Sequence, residues 1–177
     1  KYNIEQSIQI LRDLKLDLIP VVDQNNVVVD YITWATMGGK DQPQKSLEDV
    51  PVVIMAGGKG TRLEPFTKIL PKPLVPIHEK PIIEHIIDRF TQLGCIDFYL
   101  TINYKGKILK AYFEELQPEY KVRFVEEQEP LGTAGCLSTL DGKFEHPIFV
   151  TNCDIIVKAD YNTLYEFHQK GGYDITL

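Results

Sequence analysis

No run of apolar residues in this chain approaches the roughly 20 needed to cross a bilayer. No basic-then-apolar signal peptide follows Lys1, and without an initial Met we expect a piece of a longer chain. Positive charge is not in excess: the formal net charge is -6 over 177 residues, which excludes a general nucleic-acid coat. Cysteine is scarce. Cys95, Cys136 and Cys153 are widely spaced and odd in number, so they form neither a metal-ligand spacing nor a disulfide framework. That usage fits a reducing cytoplasm, where we expect the protein to reside. His78, His85, His146 and His168 form no pair or triad, and internal repeats and low-complexity tracts are absent.

What remains is a soluble, globular composition, 44% hydrophobic and 25% charged. Two segments differ in character. In the first, residues 1–36, Asn3 with Gln6 reads as a helix start with a capping box, followed by Ile4, Ile8, Leu11 and Leu14 at helical spacing. Leu18 to Val22 then reads as a strand, Asp23 to Asn26 as a turn, and Val27 to Val29 as a returning strand. Residues 37–50, with Gly38, Gly39 and Pro43, read as a linker.

Residues 51–177 alternate strand and helix. Strands are expected at Val52 to Met55, Ile96 to Ile102, Tyr120 to Val125 and Ile148 to Thr151, with another beginning at Tyr173. Helices are expected after Pro81, over Ile108 to Leu116, Thr133 to Leu140 and Tyr161 to Lys170. Such alternation implies an α/β fold with a mostly parallel sheet and helices on both faces. Ligands of such sheets bind outside the carboxyl ends of the strands.

Gly57, Gly58 and Gly60 follow the first of these strands almost at once. Glycines there let backbone N–H groups approach an anion closely. Lys59, Arg62, Lys68, Lys72 and Lys80 outnumber Glu64 and Glu79 in the same stretch, a local positive excess in an acidic chain that suits a polyphosphate. Two familiar phosphate loops do not fit. A dinucleotide pattern starting at Gly58 would need glycine where Leu63 stands, which disfavours a dehydrogenase. A P-loop would need Ser or Thr after Lys59, where Gly60 stands. On glycines alone, a solvated turn remains an equal reading.

The run Ala56-Gly57-Gly58-Lys59-Gly60-Thr61-Arg62-Leu63, followed by Pro65, Thr67 and Pro71-Lys72-Pro73, closely resembles the signature of the nucleoside-diphosphate-sugar pyrophosphorylases, the sugar-1-phosphate nucleotidyltransferases. The resemblance covers residues 51–177 and is nearest in kind to the mannose-1-phosphate guanylyltransferases. It implies a Rossmann-like nucleotide-binding half. It also implies a reaction in which a sugar 1-phosphate and a nucleoside triphosphate give a nucleotide-sugar and pyrophosphate.

By this resemblance Ala56 and Gly57 open the phosphate loop, and the amides of Gly58, Lys59, Gly60 and Thr61 hold the triphosphate. Arg62 would neutralise the departing pyrophosphate and Lys72 would contact the phosphoryl group under attack. Asp154, in Thr151-Asn152-Cys153-Asp154, would hold Mg²⁺. Cys153 departs from the glycine usual at that position, and without the resemblance Asp154 would read as a helix cap. Glu126 to Gly135 resembles the base-recognition loop, with Gly132 close to the base and Glu127 where relatives carry Gln or Glu. A carboxylate offers acceptors only. Guanine presents adjacent N1–H and N2–H donors to such a group, so GTP is favoured over UTP. A solvated acidic loop is the competing reading. Asn103-Tyr104 would line the sugar side, Lys80 would be structural, and Cys136 would pack rather than react.

The stretch from Leu18 to Thr33 resembles the latter part of a CBS motif. One partial copy implies a packing or homodimer surface rather than a complete ligand site. A nucleotide-binding regulatory module without turnover, and a uridylyltransferase for an amino-sugar 1-phosphate, stand as alternatives. Neither nucleic acid nor membrane is expected as a partner.

Overall fold

The computed structural model describes residues 10, 13–14, 16, 18–33, 47–129, 131–157 and 159–177. The chain divides into two compact units, Lys1–Gln44 and Lys45–Leu177. Among the described residues no helix is long and apolar enough to cross a membrane.

In the first unit, β1 (Leu18–Val22) and β2 (Val28–Thr33) form an antiparallel hairpin. Asp23 makes the turn: its Oδ1 accepts from the N–H groups of Asn25 at 2.8 Å and Val27 at 2.9 Å. Ile32 is buried, with Ile19 and Val21 packed against it. The expected capping box at Asn3 and Gln6, and most of the helix after it, lie outside the described residues. The strand-turn-strand expectation is met in this hairpin, which does not by itself show a CBS motif.

The second unit is built on β3 (Val52–Met55), β6 (Asp97–Ile102), β7 (Lys121–Glu126) and β8 (Phe149–Asn152), with β4 (Pro76–Ile77) and β5 (Lys80–Pro81) as a separate small hairpin. The four long strands are parallel, in the order β7-β6-β3-β8. β3 has a neighbour on each side. That explains its unbroken apolar sequence, since a central parallel strand is covered on both faces. Val52, Val53 and Ile54 are all fully buried.

Helix α1 (Ile82–Thr91) buries Ile82, Ile83, Ile86, Ile87 and Phe90, the stripe that its sequence spacing demands. It closes with the Cys95 N–H donating to the Phe90 carbonyl and the Gly94 N–H to the Thr91 carbonyl, both at 3.0 Å, a Schellman turn. Helix α2 (Gly106–Leu116) contributes Leu109 and Phe113 to the same core. The short α3 (Gly132–Gly135) runs into a 3-10 turn, Cys136–Leu140. Helix α4 (Tyr161–Gly171) starts at Asp160, whose carboxylate accepts from the Thr163 N–H at 3.1 Å and hydroxyl at 2.8 Å. Tyr161 and Tyr165 of α4 stack around Phe149, and Tyr161 also meets Phe90. On the opposite face of the sheet the Phe144 ring sits edge-on against Tyr99, with centroids 4.9 Å apart.

The result is the expected α/β fold with a central parallel sheet. Some details differ from expectation: the small β4–β5 hairpin is not among the expected strands, and the helix expected over Thr133 to Leu140 is a short helix followed by a 3-10 turn. The stretch from Tyr173 to Leu177 forms no strand, because no strand among the described residues lies beside it to complete a ladder. Leu47 and Val50, at the end of the stretch read as a linker, are buried in the main core.

The strand order fixes where a ligand goes. From β3 the chain moves outward through β6 to β7, then returns to place β8 on the other side of β3. The loops after β3 and β8 therefore leave the sheet side by side, where the strand order reverses. That crevice is the topological switch point of an open parallel sheet.

Candidate functional site at the switch point

Ala56 extends β3 by one more bond, its N–H donating to the Thr101 carbonyl at 2.9 Å. It is buried under the loop and does not line the cavity above. Gly57 then passes so close to Glu127 that a Cβ on it would lie 2.6 Å from Glu127 Oε1. Gly60 has φ 67°, and a Cβ there would lie 2.9 Å from Thr67 Cγ2 and 3.0 Å from Lys72 Cβ. Glycine is required at this position by both conformation and space. The Gly60 carbonyl accepts from the Thr67 hydroxyl and the Leu63 N–H, each at 2.9 Å, which turns the chain into the 3-10 turn Thr61–Leu63.

Lys72 opens the 3-10 turn Lys72–Leu74, anchored by buried Pro73 and Leu74. Its Nζ lies 2.5 Å from Asp154 Oδ2. Asp154 stands just past β8, and the cap of the following helix is Asp160 instead. The capping explanation of Asp154 is thereby removed. Cys153 is buried in the main core, and burial pushes its thiol up to about 11. Such a thiol stays protonated near neutrality, so the side chain is packing rather than a nucleophile. The cysteine in the usual glycine position is thus absorbed by the core.

A cavity of about 690 Å³ unites these parts. Gly57, Gly58, Gly60 and Thr61 border it, with Arg62, Lys72 and Asp154; Glu127 and Gly132 close it from the β7 side. Lys59 is exposed and does not line it. Lys80 pairs with Asp88 at 2.9 Å, away from the cavity. Gly58, by contrast with its neighbours, has open space where a Cβ would stand. A second cavity, of about 700 Å³, opens at the amino ends of β6 and β7. Glu48, Asp49, Glu84, Asp88 and Glu119 line it, and that charge would repel a triphosphate.

Three residues matter more than their sequence context suggests. Thr67 is buried at 2% exposure and holds the Gly60 carbonyl. Lys105 reaches back to the same turn, its Nζ donating to the carbonyls of Thr67 at 3.1 Å and Lys68 at 2.5 Å. Asn103 does not line the cavity as a sugar-side residue; its amide donates to the Glu127 carbonyl at 2.8 Å. Spacing does not announce the bonds of Asn103 and Lys105, because each joins segments far apart in the chain. The Lys105 strut has a measurable consequence. Lys105→Met keeps the length and loses both donors, and should lower stability by about 1 kcal/mol. In a chain of this size that is a fall of about 2–4 °C in the thermal midpoint. An unchanged midpoint in a melting experiment would show that the strut carries no weight.

Residues 51–177 match the nucleotidyl transferase family. The mannose-1-phosphate guanyltransferase of Aspergillus fumigatus is 41% identical over 130 residues, covering 71% of this chain and 36% of that protein. The enzyme of the same name from Pichia angusta is 40% identical over the same length and shares. The chain thus spans about a third of the length of the curated relatives it matches. Among solved structures, HddC from Yersinia pseudotuberculosis complexed with GMP-PN superposes with a TM-score of 0.59 at 33% identity, over 67% of this chain and 54% of that one. UDP-glucose pyrophosphorylase complexed with UDP-glucose gives a TM-score of 0.58 at 20% identity, over 70% and 54%, and supports the fold.

Proposed function

This chain belongs to the nucleotidyl transferase family, and we propose that its switch-point cavity binds GTP for transfer of a guanylyl group to a sugar 1-phosphate, releasing pyrophosphate. The observation that carries this reading is the single cavity joining the glycine loop to Lys72 and Asp154 on one side and to Glu127 and Gly132 on the other. The similarity to guanyltransferases at 41% identity supports mannose 1-phosphate as the sugar.

The two substrates are anions, so the protein's task is neutralisation and in-line positioning. An oxygen of the sugar phosphate attacks the α-phosphorus; the bond from that phosphorus to the bridging oxygen breaks, and pyrophosphate leaves with the electron pair. In this reading the amides of Gly58, Lys59, Gly60 and Thr61 hold the triphosphate, with Ala56 and Gly57 shaping the loop beneath. Arg62 offsets charge on the departing pyrophosphate, and Lys72 stabilises the phosphoryl group under attack. Among the described residues no group of three His, Cys, Asp or Glu side chains gathers to cage a metal. A lone carboxylate still fits Mg²⁺, which takes one or two carboxylates and completes its shell with phosphate oxygens and water. Asp154 would hold it, and the ion would supply charge neutralisation of the phosphate oxygens when bound.

Glu127 carries the base choice. Its carboxylate would accept from N1–H and N2–H of guanine, whereas uracil offers one N–H between two carbonyls. Glu127→Gln removes one acceptor and adds a donor facing donors. Losing one charge-assisted hydrogen bond of this kind costs about tenfold or more in affinity. Titration calorimetry should therefore show the preference for GTP over UTP falling by about that factor. Tighter UTP than GTP binding, unaltered in Glu127→Gln, would sink the guanine reading. Pyrophosphate release from GTP, mannose 1-phosphate and Mg²⁺ tests the reaction itself; binding of GTP without any turnover of sugar phosphates would favour a regulatory nucleotide-binding module.

A further inference from the structure

We infer that Asn103 is a positioning residue that sets the base-reading carboxylate of Glu127 against the phosphate loop; the inference rests on the guanine reading of Glu127 proposed above. The ladder between β6 and β7 closes with Ile102 opposite Glu126. One residue further, the Glu127 N–H still donates to the Ile102 carbonyl at 2.9 Å. Beyond that point β6 supplies no more strand, because its chain turns into α2. The Gly106 N–H bonds the Asn103 carbonyl at 3.3 Å, and Lys105 takes φ 55°. The Glu127 carbonyl therefore has no backbone partner in the ladder. The side-chain amide of Asn103 takes that place, donating at 2.8 Å. Glu127 is thus gripped at both its N–H and its C=O by two consecutive residues.

The same turn holds the other side of the contact. The Tyr104 N–H points to the Gly57 carbonyl at 3.4 Å. Gly57 is the residue against which the Glu127 carboxylate lies, close enough that a Cβ would meet Oε1 at 2.6 Å. Residues 102–104 therefore bond both members of the Glu127–Gly57 contact. With the peptide fixed on both sides and Gly57 beside it, the carboxylate is set at the border of the cavity that both residues line. Asn103 itself does not border the cavity, so it acts through Glu127. An amide is the required group: it donates without adding charge beside a carboxylate, which neither Asp nor an aliphatic side chain does.

Calorimetric titration of the chain with GTP and with ITP, which lacks the 2-amino group, isolates this role. One charge-assisted hydrogen bond predicts about tenfold tighter binding of GTP than ITP by the unaltered chain. In Asn103→Ala the GTP-to-ITP ratio should collapse toward one, because a displaced carboxylate no longer finds the second donor. A purely structural role would weaken both nucleotides by the same factor and leave the ratio where it was; that result overturns the inference. A ratio of one in the unaltered chain would instead overturn the guanine reading of Glu127, and the positioning role with it. Should Asn103→Ala fail to fold, Asn103→Asp keeps the shape of the side chain and loses the donor. A folded Asn103→Asp with the unaltered ratio likewise overturns the inference.

Discussion

Replacing Lys72 with methionine is expected to slow pyrophosphate release by about a hundredfold to a thousandfold, the usual cost of removing one preorganised charge-stabilising donor. The size of the effect follows from how the residue is held. Buried Pro73 and Leu74 anchor the turn, so the lysine stem leaves a fixed point. Its ammonium is held in turn by Asp154 at 2.5 Å. In the proposed transfer the charge therefore waits on the cavity wall and needs little reorganisation. GTP binding should be largely kept, because the glycine-loop amides are untouched. Lys72→Arg should recover part of the rate, since it restores charge in a different, planar geometry. Combining Lys72→Met with Asp154→Asn should cost less than the product of the single effects, because residues in contact act non-additively. Steady-state pyrophosphate assays beside GTP titrations measure all of this. A Lys72→Met rate equal to that of the unaltered chain would take Lys72 out of the chemistry.

Much of this site was legible because its parts have local signatures. The apolar run Val52 to Met55 leads directly into the glycine loop, and the isoleucine stripe of α1 shows the helical period plainly. A strand followed at once by glycines announces a loop at a strand's carboxyl end, wherever the strand sits in the sheet. The features that escaped have no period to read. β4 and β5 are two residues each, too short for alternation to show. Tyr173 to Leu177 carries strand-like residues, but propensity alone makes no strand without a neighbour to bond. The bonds of Asn103 and Lys105 join segments that only the fold brings together. Asp154 shows the same limit from the other side. Its sequence allows both a cap and a site carboxylate; in the fold Asp160 takes the cap, and Asp154 pairs with Lys72 at the cavity.

The three glycines of the loop should respond to alanine in three different ways, and Gly60 most severely. Gly60→Ala places a Cβ in the left-handed region at φ 67°, at a cost of about 1–2 kcal/mol. The same Cβ would stand 2.9 Å from Thr67 Cγ2 and 3.0 Å from Lys72 Cβ. Neither neighbour yields easily, since Thr67 is buried and bonded to Gly60 itself, and Lys72 Cβ sits at the root of its side chain. Overpacking of this kind adds about 1–3 kcal/mol. The thermal midpoint should fall by several degrees, about 2–4 °C for each kcal/mol. Relief of the clash would move the loop away from Lys72, and a displacement near 1 Å at such a site costs about a hundredfold in rate. Gly57→Ala meets only the far end of the Glu127 side chain, which can swing aside. Its midpoint should change little, while its preference for GTP over UTP should weaken. Gly58→Ala meets nothing within 4 Å and should melt with the unaltered chain. Melting curves and nucleotide titrations on the three variants separate these outcomes. If Gly60→Ala melted and bound GTP like Gly58→Ala, the packing of the loop against Thr67 and Lys72 would not be what shapes the proposed triphosphate site.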